Sequence, residues 1–353
     1  METTKRVEIY TGFACNVRCT FCYYTEHKSI DEFPIERLKK ELQLGREYGA
    51  LDVDFTGGEP TIRRDLPELL SFARDLGYRD ICIISNGQML ANHSYVEHLA
   101  KSGLNDVLLS IHGLNETYER LTQVRGSFKK ITQAADNVNA LGIKLRTNTT
   151  VVKPNFKELP EIASYLLNLK PEAVNFIMFN PWYSPESQKE EMTSTYSNSA
   201  PYLRQSIDKL SQVIRRITVR YIPYCFMEGY EKYVCNFPHR RYDPDEWSHA
   251  TRFRIESRFW PGLLLWRMVH NGVGPKLTLN LDEQIDHVVV GSVQRSLHVK
   301  GKACKVCRYV RICDGFKKGY AHLYGLGEIS PVKGKEIRDF MFSRGSYLNS
   351  EKP

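Results

Sequence analysis

Two apolar patterns alternate along the chain between residues 7 and 217. Short runs rich in β-branched residues are followed by longer stretches whose apolar positions recur at helical spacing. One such stretch, PIERLKKELQLGREYG, begins with Pro34 and ends at Gly49, residue types that favour the start and the end of a helix. The alternation predicts parallel strands joined by crossover helices. The six predicted strands cover residues 7–13, 52–56, 80–85, 106–111, 144–152 and 173–180.

Six strand–helix units are fewer than the eight of a closed barrel. The predicted fold class is therefore α/β, with a partial (β/α)6 barrel that is open on one side. After about residue 218 the sequence becomes rich in aromatic residues, Pro and Arg, and it contains further cysteines. We predict three parts: a core over 1–217, a small second domain over 218–325, and a C-terminal tail over 326–353.

Composition is that of a globular protein. Apolar residues make up 42% and charged residues 25% of the 353 residues, which leaves little room for long disordered segments. No uncharged apolar run of about 18 residues is present, and the N-terminus lacks the apolar centre of a signal peptide. We expect a cytoplasmic protein without a membrane partner.

The formal net charge of +8 favours anionic partners in general. Positive charge is concentrated in two groups. The first lies between 301 and 318 with Asp314 as the single acid, and comprises Lys302, Lys305, Arg308, Arg311, Lys317 and Lys318. The second comprises His239, Arg240, Arg241, Arg252, Arg254 and Arg258. Two interpretations are open: a solvated face that offsets the charge of a thiolate-bound cluster, or a site for a substrate with phosphate or carboxylate groups. Nucleic acid is not expected as a partner, because no known RNA-binding module is visible.

Polar motifs follow the predicted strands where each strand ends. The cysteines follow the first strand, TGGEPT the second and SNG the third, while SIHG and RTNTT belong to the fourth and fifth. In folds of this kind the chemistry is located at the carboxyl ends of the strands. These loops are therefore predicted to form one site.

Three cysteines stand within eight residues directly after the first strand. Cys15, Cys19 and Cys22 have the spacing C-x3-C-x2-C, and the chain contains nine cysteines, an odd number that does not suit a disulfide framework. Three thiolates can hold three irons of a [4Fe-4S] cluster and leave the fourth iron open. The alternative is zinc, for which His27 is the nearby fourth ligand.

The motif CNVRCTFC, with Phe21 in the penultimate place, and the following FTGGEPT resemble the radical S-adenosylmethionine (SAM) superfamily. The resemblance covers essentially the whole of the first 217 residues. It implies a partial TIM-like barrel, a [4Fe-4S] cluster that binds SAM, and an electron donor such as flavodoxin or ferredoxin. It also implies reductive cleavage of SAM to a 5′-deoxyadenosyl radical, which abstracts a hydrogen atom from the substrate.

The same resemblance implies roles for the polar residues of the rim. Gly57 and Gly58 would allow close approach of the backbone to the methionine moiety, and Glu59 would accept the α-ammonium group. Further candidates for contact with the carboxylate or the ribose are Ser85, Asn86, Ser110, His112, Arg146 and Asn148. For the motifs after strands two and three the alternative is a plain turn, and for His112 it is a place in the core.

A second cysteine group lies near the C-terminus, where Cys304, Cys307 and Cys313 have the spacing C-x2-C-x5-C. It resembles the auxiliary cluster domain called SPASM or, when shortened, twitch. A full SPASM domain has seven cysteines, whereas here Lys317 stands where another is expected. One auxiliary [4Fe-4S] cluster is therefore predicted, with Cys225 preferred over Cys235 as the fourth ligand. Cys82 is predicted to be a core thiol.

Three functions remain open. The first is an enzyme that dehydrogenates or epimerises a small, anionic substrate, with Cys235 as a candidate hydrogen-atom donor in the second case. The next is a maturase acting on a peptide substrate, although the cluster loop begins at residue 15 and we expect no leader-binding domain before it. The last is a non-catalytic redox or sensor protein, which would not need the GGE motif.

Overall fold

The computed structural model describes residues 4–24, 32–181, 190–247, 297–339 and 341–345. Its main element is a curved sheet of eight parallel strands arranged in chain order. The strands are β1 Arg6–Tyr10, β2 Asp52–Thr56, β3 Ile81–Ser85, β4 Asp106–Ser110, β5 Lys144–Val151, β6 Ala173–Met178, β7 Arg216–Arg220 and β8 Val234–Cys235.

Helices connect the first seven strands and cover the outer face of the sheet. Parallel neighbours require such crossovers, because a tight turn cannot join them. Within the described ranges the helices of this part are α1 Ile35–Glu47, α2 Leu66–Asp75, α3 His93–Ser102, α4 Asn115–Thr122, α5 Ser127–Ala140, α6 Leu159–Leu169 and α7 Tyr196–Leu210. Their buried apolar residues, such as Leu38 and Leu42, share one core with the outward side chains Val53 and Phe55 of β2.

The partial α/β barrel predicted from the sequence is confirmed, and the six predicted strands correspond to β1–β6. Two strands were missed. β7 reads RITVR, whose alternation of polar and apolar residues is a strand signal that the sequence analysis overlooked, whereas β8 has two residues, too few for a pattern. The predicted division between 217 and 218 falls inside β7.

The amino ends of the strands are closed by residues 243–247. Trp247 pairs with Arg6 on the free edge of β1, and its indole Nε1 donates to Asp54 Oδ2 at 2.8 Å. Asp245 pairs with Arg216 on β7 at 3.2 Å. This segment thus lies between the two ends of the curved sheet, and the loops at the carboxyl ends of the strands form the opposite face.

The C-terminal part packs on the core through a small antiparallel pair, β9 His298–Val299 and β10 Phe316–Lys317, and a helix, α8 Lys318–Tyr324. The ring of Tyr320 stacks on Tyr196 of α7 with 4.0 Å between the centroids. The described residues beyond 325 are packed as well, since Arg344 pairs with Asp243 at 2.8 Å. No helix in the described ranges is long and apolar enough to cross a membrane.

Candidate functional site

The loop that carries Cys15, Cys19 and Cys22 leaves β1 at the carboxyl face of the sheet. Two backbone hydrogen bonds hold it: Arg18 N–H donates to the carbonyl of Thr122 at 3.0 Å, and Thr20 N–H donates to the carbonyl of Leu121 at 2.9 Å. All three thiols are half-buried. The loop is therefore anchored to the end of α4.

The two glycines of the GGE motif allow the loop after β2 to lie against the cysteine loop. A Cβ on Gly57 would stand 2.2 Å from the carbonyl oxygen of Gly12, and one on Gly58 would stand 2.0 Å from that of Ala14. Gly57 also has a φ of +119°, which favours glycine. Their absent side chains leave room for this backbone, and the close approach to a methionine moiety stays a prediction.

Glu59 connects the loops after β2 and β3. Its Oε1 accepts hydrogen bonds from Thr61 N–H, Thr61 Oγ1 and Ser85 Oγ at 3.1, 2.6 and 2.8 Å, and its Oε2 accepts one from the backbone N–H of Asn86 at 2.7 Å. The side chain is 3% exposed. Burial raises the pKa of Glu59, and these donors oppose the rise. A carboxylate has about four acceptor sites, so Oε2 keeps capacity for a further donor.

Asn86 connects this unit to the cysteines. Its side-chain Nδ2 donates to Asn16 Oδ1 at 2.8 Å and lies 3.8 Å from Cys15 Sγ. The cysteine loop, the GGE motif and the SNG motif therefore share one hydrogen-bond network. The sequence analysis did not single out Asn16, for which the sequence offers no signal beyond its place between two cysteines.

His112 and Phe21 meet at the next part of the rim. Their rings are in edge contact with 4.7 Å between centroids, and His112 Nδ1 accepts the backbone N–H of Thr150 at 3.0 Å. Burial lowers the pKa of His112 to about 3, so the ring is neutral and carries its proton on Nε2. Ser110 and Asn148 lie beside it, as direct neighbours on β4 and β5.

Arg146 does not lie at the rim, so the sequence prediction for it is corrected. It is fully buried near the amino end of β5, where it pairs with Asp106 at 2.9 Å, Asp245 at 3.1 Å and Asp54 at 3.3 Å. A buried cation requires compensating charge, and these carboxylates supply it from three other segments. Cys82, predicted to be a core thiol, is buried next to it, 3.1 Å from Arg146 Nη2.

Cys225, Cys304, Cys307 and Cys313 line one cavity in the C-terminal part. Its other walls are largely apolar, with Ile329 and Pro331 from the segment after α8. Gly315 N–H donates to Cys313 Sγ at 3.4 Å. Burial raises the pKa of Cys225 to about 12 and that of Cys313 to about 11. The other three cysteines of the cavity also raise the pKa of Cys225, because like charges close together disfavour the thiolate.

Cys235 lies apart from these four cysteines. It ends β8 opposite Arg220, the last residue of β7. Burial raises its pKa to about 12, and Arg344 and Asp243 are the charged groups that act on it most strongly. Val234 packs in the outer core, so Cys235, the next residue of the strand, points to the inner face of the sheet.

In the described ranges, no three His, Cys, Asp or Glu side chains are grouped closely enough to hold a single metal ion. A [4Fe-4S] cluster places irons and sulfides between its thiolates, so its ligands lie further apart than those of one ion.

His27, the fourth ligand of the zinc alternative, lies outside the described residues, as do Arg252, Arg254 and Arg258 of the second basic group. His239 and Arg240 of that group are buried, and Arg240 pairs with Glu246 at 2.8 Å.

Residues 9–166 match the family model described as the Radical SAM superfamily. Fe-coproporphyrin III synthase of Methanosarcina barkeri is 32% identical over 155 residues, which cover 43% of this chain and 38% of that protein. A probable GTP 3′,8-cyclase of Sulfolobus acidocaldarius is 28% identical over 171 residues, 48% of this chain and 54% of that protein. The match thus spans less than two thirds of either relative.

Two solved structures resemble the whole chain. Streptococcus suis SuiB bound to the precursor peptide SuiA superposes with a TM-score of 0.57 at 19% identity, covering 96% of this chain and 76% of that one. Native anSMEcpe with bound AdoMet and Cp18Cys peptide superposes with a TM-score of 0.56 at 15% identity, covering 98% and 97%. At these identities the likeness concerns the fold alone.

Proposed function

We propose that this chain is an enzyme of the radical SAM superfamily, whose family model residues 9–166 match, and that it abstracts a hydrogen atom from a small, anionic substrate. Cys15, Cys19 and Cys22 would hold a [4Fe-4S] cluster with SAM on its open iron, and Cys225, Cys304, Cys307 and Cys313 would hold an auxiliary [4Fe-4S] cluster. When bound, the first cluster and SAM would supply a 5′-deoxyadenosyl radical by cleavage of SAM with one electron from an external donor such as flavodoxin or ferredoxin.

One observation carries the proposal: Asn86 joins the cysteine loop to Glu59. Its side chain contacts Asn16 and lies near Cys15, while its backbone N–H binds the Glu59 carboxylate. A ligand on the open iron would therefore lie beside a buried carboxylate. An α-ammonium group is a suitable donor for the remaining capacity of Glu59 Oε2.

The neighbouring side chains of the rim are suited to orient such a ligand. The neutral His112 ring presents Nε2–H as a donor, because Nδ1 already accepts a backbone hydrogen bond. Ser110 and Asn148 add hydroxyl and amide groups on the adjacent strands. These groups can bind hydroxyls or carboxylate oxygens without placing a further charge in the site.

The auxiliary cavity also suits its cluster. Four cysteines on one cavity match the number of ligands that a [4Fe-4S] cluster takes. An N–H donor to a cluster ligand, as Gly315 provides for Cys313 Sγ, is a common means of adjusting the reduction potential. Apolar walls keep water from the cluster.

Lys317 supports an anionic substrate. It is 3% exposed, and its Nζ lies 4.1 Å from the ring centroid of Tyr221, directly after β7 at the carboxyl face. Burial lowers the pKa of Lys317 to about 7. A carboxylate or phosphate bound beside it would favour the protonated ammonium group.

Anaerobic reconstitution tests the proposal. We expect about eight irons per chain and loss of about half when Cys15, Cys19 and Cys22 are replaced together by Ala. With dithionite as reductant, 5′-deoxyadenosine should form in the parent and not in that variant. Deuterium transfer from a labelled substrate into 5′-deoxyadenosine would then identify the substrate. Zinc in place of iron, without the visible absorption of a cluster, would disprove it.

A further inference from the structure

A strongly basic surface lies over the auxiliary cysteines. Residues 300–311 and 333–339 carry seven exposed cationic side chains against two exposed acids, Glu336 and Asp339. We call this surface the basic face; its cations are Lys300, Lys302, Lys305, Arg311, Lys333, Lys335 and Arg338.

The two segments form one continuous surface. Arg308 N–H donates to the carbonyl of Val332 at 2.8 Å, and its own carbonyl accepts the N–H of Ile337 at 2.8 Å. Arg311 and Glu336 pair across the same junction at 3.5 Å. The cations of both segments can therefore act on one partner.

The basic face also carries an exposed apolar side chain next to the cysteine cavity. Val306 is 70% exposed, although a valine of a soluble protein is usually buried. It stands between Cys304 and Cys307, which line the cavity and are half-buried. Lys300 both lines that cavity and is exposed on the basic face. A partner seated on Val306 would thus be close to the group that the cysteines hold.

We propose that the basic face is the docking surface for a small acidic electron-carrier protein of the flavodoxin or ferredoxin class. The inference rests on the proposed function, because it takes the auxiliary cysteines to hold a redox group. A charged rim steers an oppositely charged partner, and an apolar centre completes the contact. Electron-transfer complexes have small interfaces, so a surface made of two short segments can be sufficient.

Binding measured by calorimetry on the reconstituted protein tests the docking surface, with an acidic flavodoxin and an acidic [2Fe-2S] ferredoxin as probes. At about 50 mM salt, Lys302→Glu with Lys305→Glu should weaken carrier binding by about tenfold, and this difference should shrink at about 500 mM salt. Val306→Ser should weaken binding at both salt concentrations. The matched control is Lys129→Glu with Lys130→Glu on α5, which changes the net charge equally at two exposed lysines and should change the affinity less than about twofold.

Three outcomes would overturn the docking proposal. The first is no carrier binding by the parent, and the second is equal weakening of carrier binding in both double variants. The third is that the parent binds a single-stranded RNA more tightly than either carrier, with RNA binding abolished by the basic-face variant alone. Iron content must match the parent in every variant. Dithionite needs no docking surface, so 5′-deoxyadenosine formation with dithionite tests the proposed function separately. If 5′-deoxyadenosine forms with dithionite but no carrier binds, only the docking surface is disproved.

Discussion

The backbone N–H of Asn86 donates a hydrogen bond of 2.7 Å to Glu59 Oε2. This bond joins the loops after β2 and β3 and leaves the carboxylate buried with four donors around it. The side chain of the same Asn86 reaches Cys15. We therefore expect a substitution at Glu59 to shift the cysteine loop, and a substitution in the cysteine loop to shift Glu59.

Glu59→Gln should weaken SAM binding by about 1.5 to 3 kcal/mol, the range for a hydrogen bond to a charged group. The amide would also direct an N–H group at one of the existing donors, so we expect the free energy of unfolding to fall by about 1 to 3 kcal/mol. Equilibrium binding and denaturant unfolding measure the two effects. Glu68→Gln, at an exposed position of α2, is the control. Unchanged SAM affinity at full iron content would show that Glu59 has a structural role alone.

Gly58→Ala should displace the cysteine loop, because the added methyl would stand 2.0 Å from the Ala14 carbonyl oxygen. We expect loss of about four irons of about eight, with the auxiliary cluster retained. The matched control is Gly327→Ala, where nothing lies within 4 Å of the added atom. Iron analysis and visible absorption distinguish the two variants. Full iron content in Gly58→Ala would contradict the close packing of the two loops.

Cys225→Ala should remove about four irons, whereas Cys235→Ala should retain them, because Cys225 and not Cys235 lines the cavity with the other three cysteines. The reverse result would make Cys235 the ligand.

Cys235 also tests the type of reaction. Burial keeps its thiol protonated, as a hydrogen-atom donor requires. If the enzyme epimerises its substrate, Cys235→Ala should still form 5′-deoxyadenosine but give no inverted product. Chiral analysis of the product measures this, with Cys82→Ala as a control at another buried thiol. Unchanged inversion would exclude the donor role.

Arg146→Met should lower the free energy of unfolding by about 3 to 5 kcal/mol, because removal of one partner leaves buried carboxylates without a counter-charge. SAM affinity of the folded fraction should not change, since Arg146 lies away from the rim. Arg74→Met, at a surface pair of α2, should cost less than about 1 kcal/mol. A large loss of SAM affinity with little loss of stability would restore the ligand role predicted from the sequence.

His112 should make the protein acid-sensitive. Its folded pKa of about 3 lies below the ordinary value of 6.5, so the unfolded chain binds the proton first as the pH falls. Stability is therefore complete above about pH 6.5 and decreases by about 1.4 kcal/mol for each unit well below it, towards pH 3. Urea unfolding of the parent and of His112→Gln at pH 7.5 and 5.5 measures this. His93→Gln, at an exposed position, should leave the parent's slope in place; an equal slope in His112→Gln would contradict the assignment.

The sequence by itself determined the α/β class, the first six strands and the convergence of the cysteine, GGE and SNG motifs. Short β-branched strands, helical periodicity and turn residues are local signals, and parallel topology brings the ends of the strands to one face. β7 was missed although its sequence RITVR alternates polar and apolar residues, whereas β8, with two residues, is too short to show any alternation.

Only the tertiary structure decided the partners of the polar side chains. Strand alternation assigns Arg146 and Asn148 to the same inner face, yet Arg146 meets Asp54, Asp106 and Asp245 near the amino ends, whereas Asn148 lies beside Ser110 at the carboxyl edge. In the same way, the choice between Cys225 and Cys235 depends on residues some 80 positions later in the chain that complete one cavity. Electrostatic and packing partners of this kind are set by distance in space, which local sequence patterns do not encode.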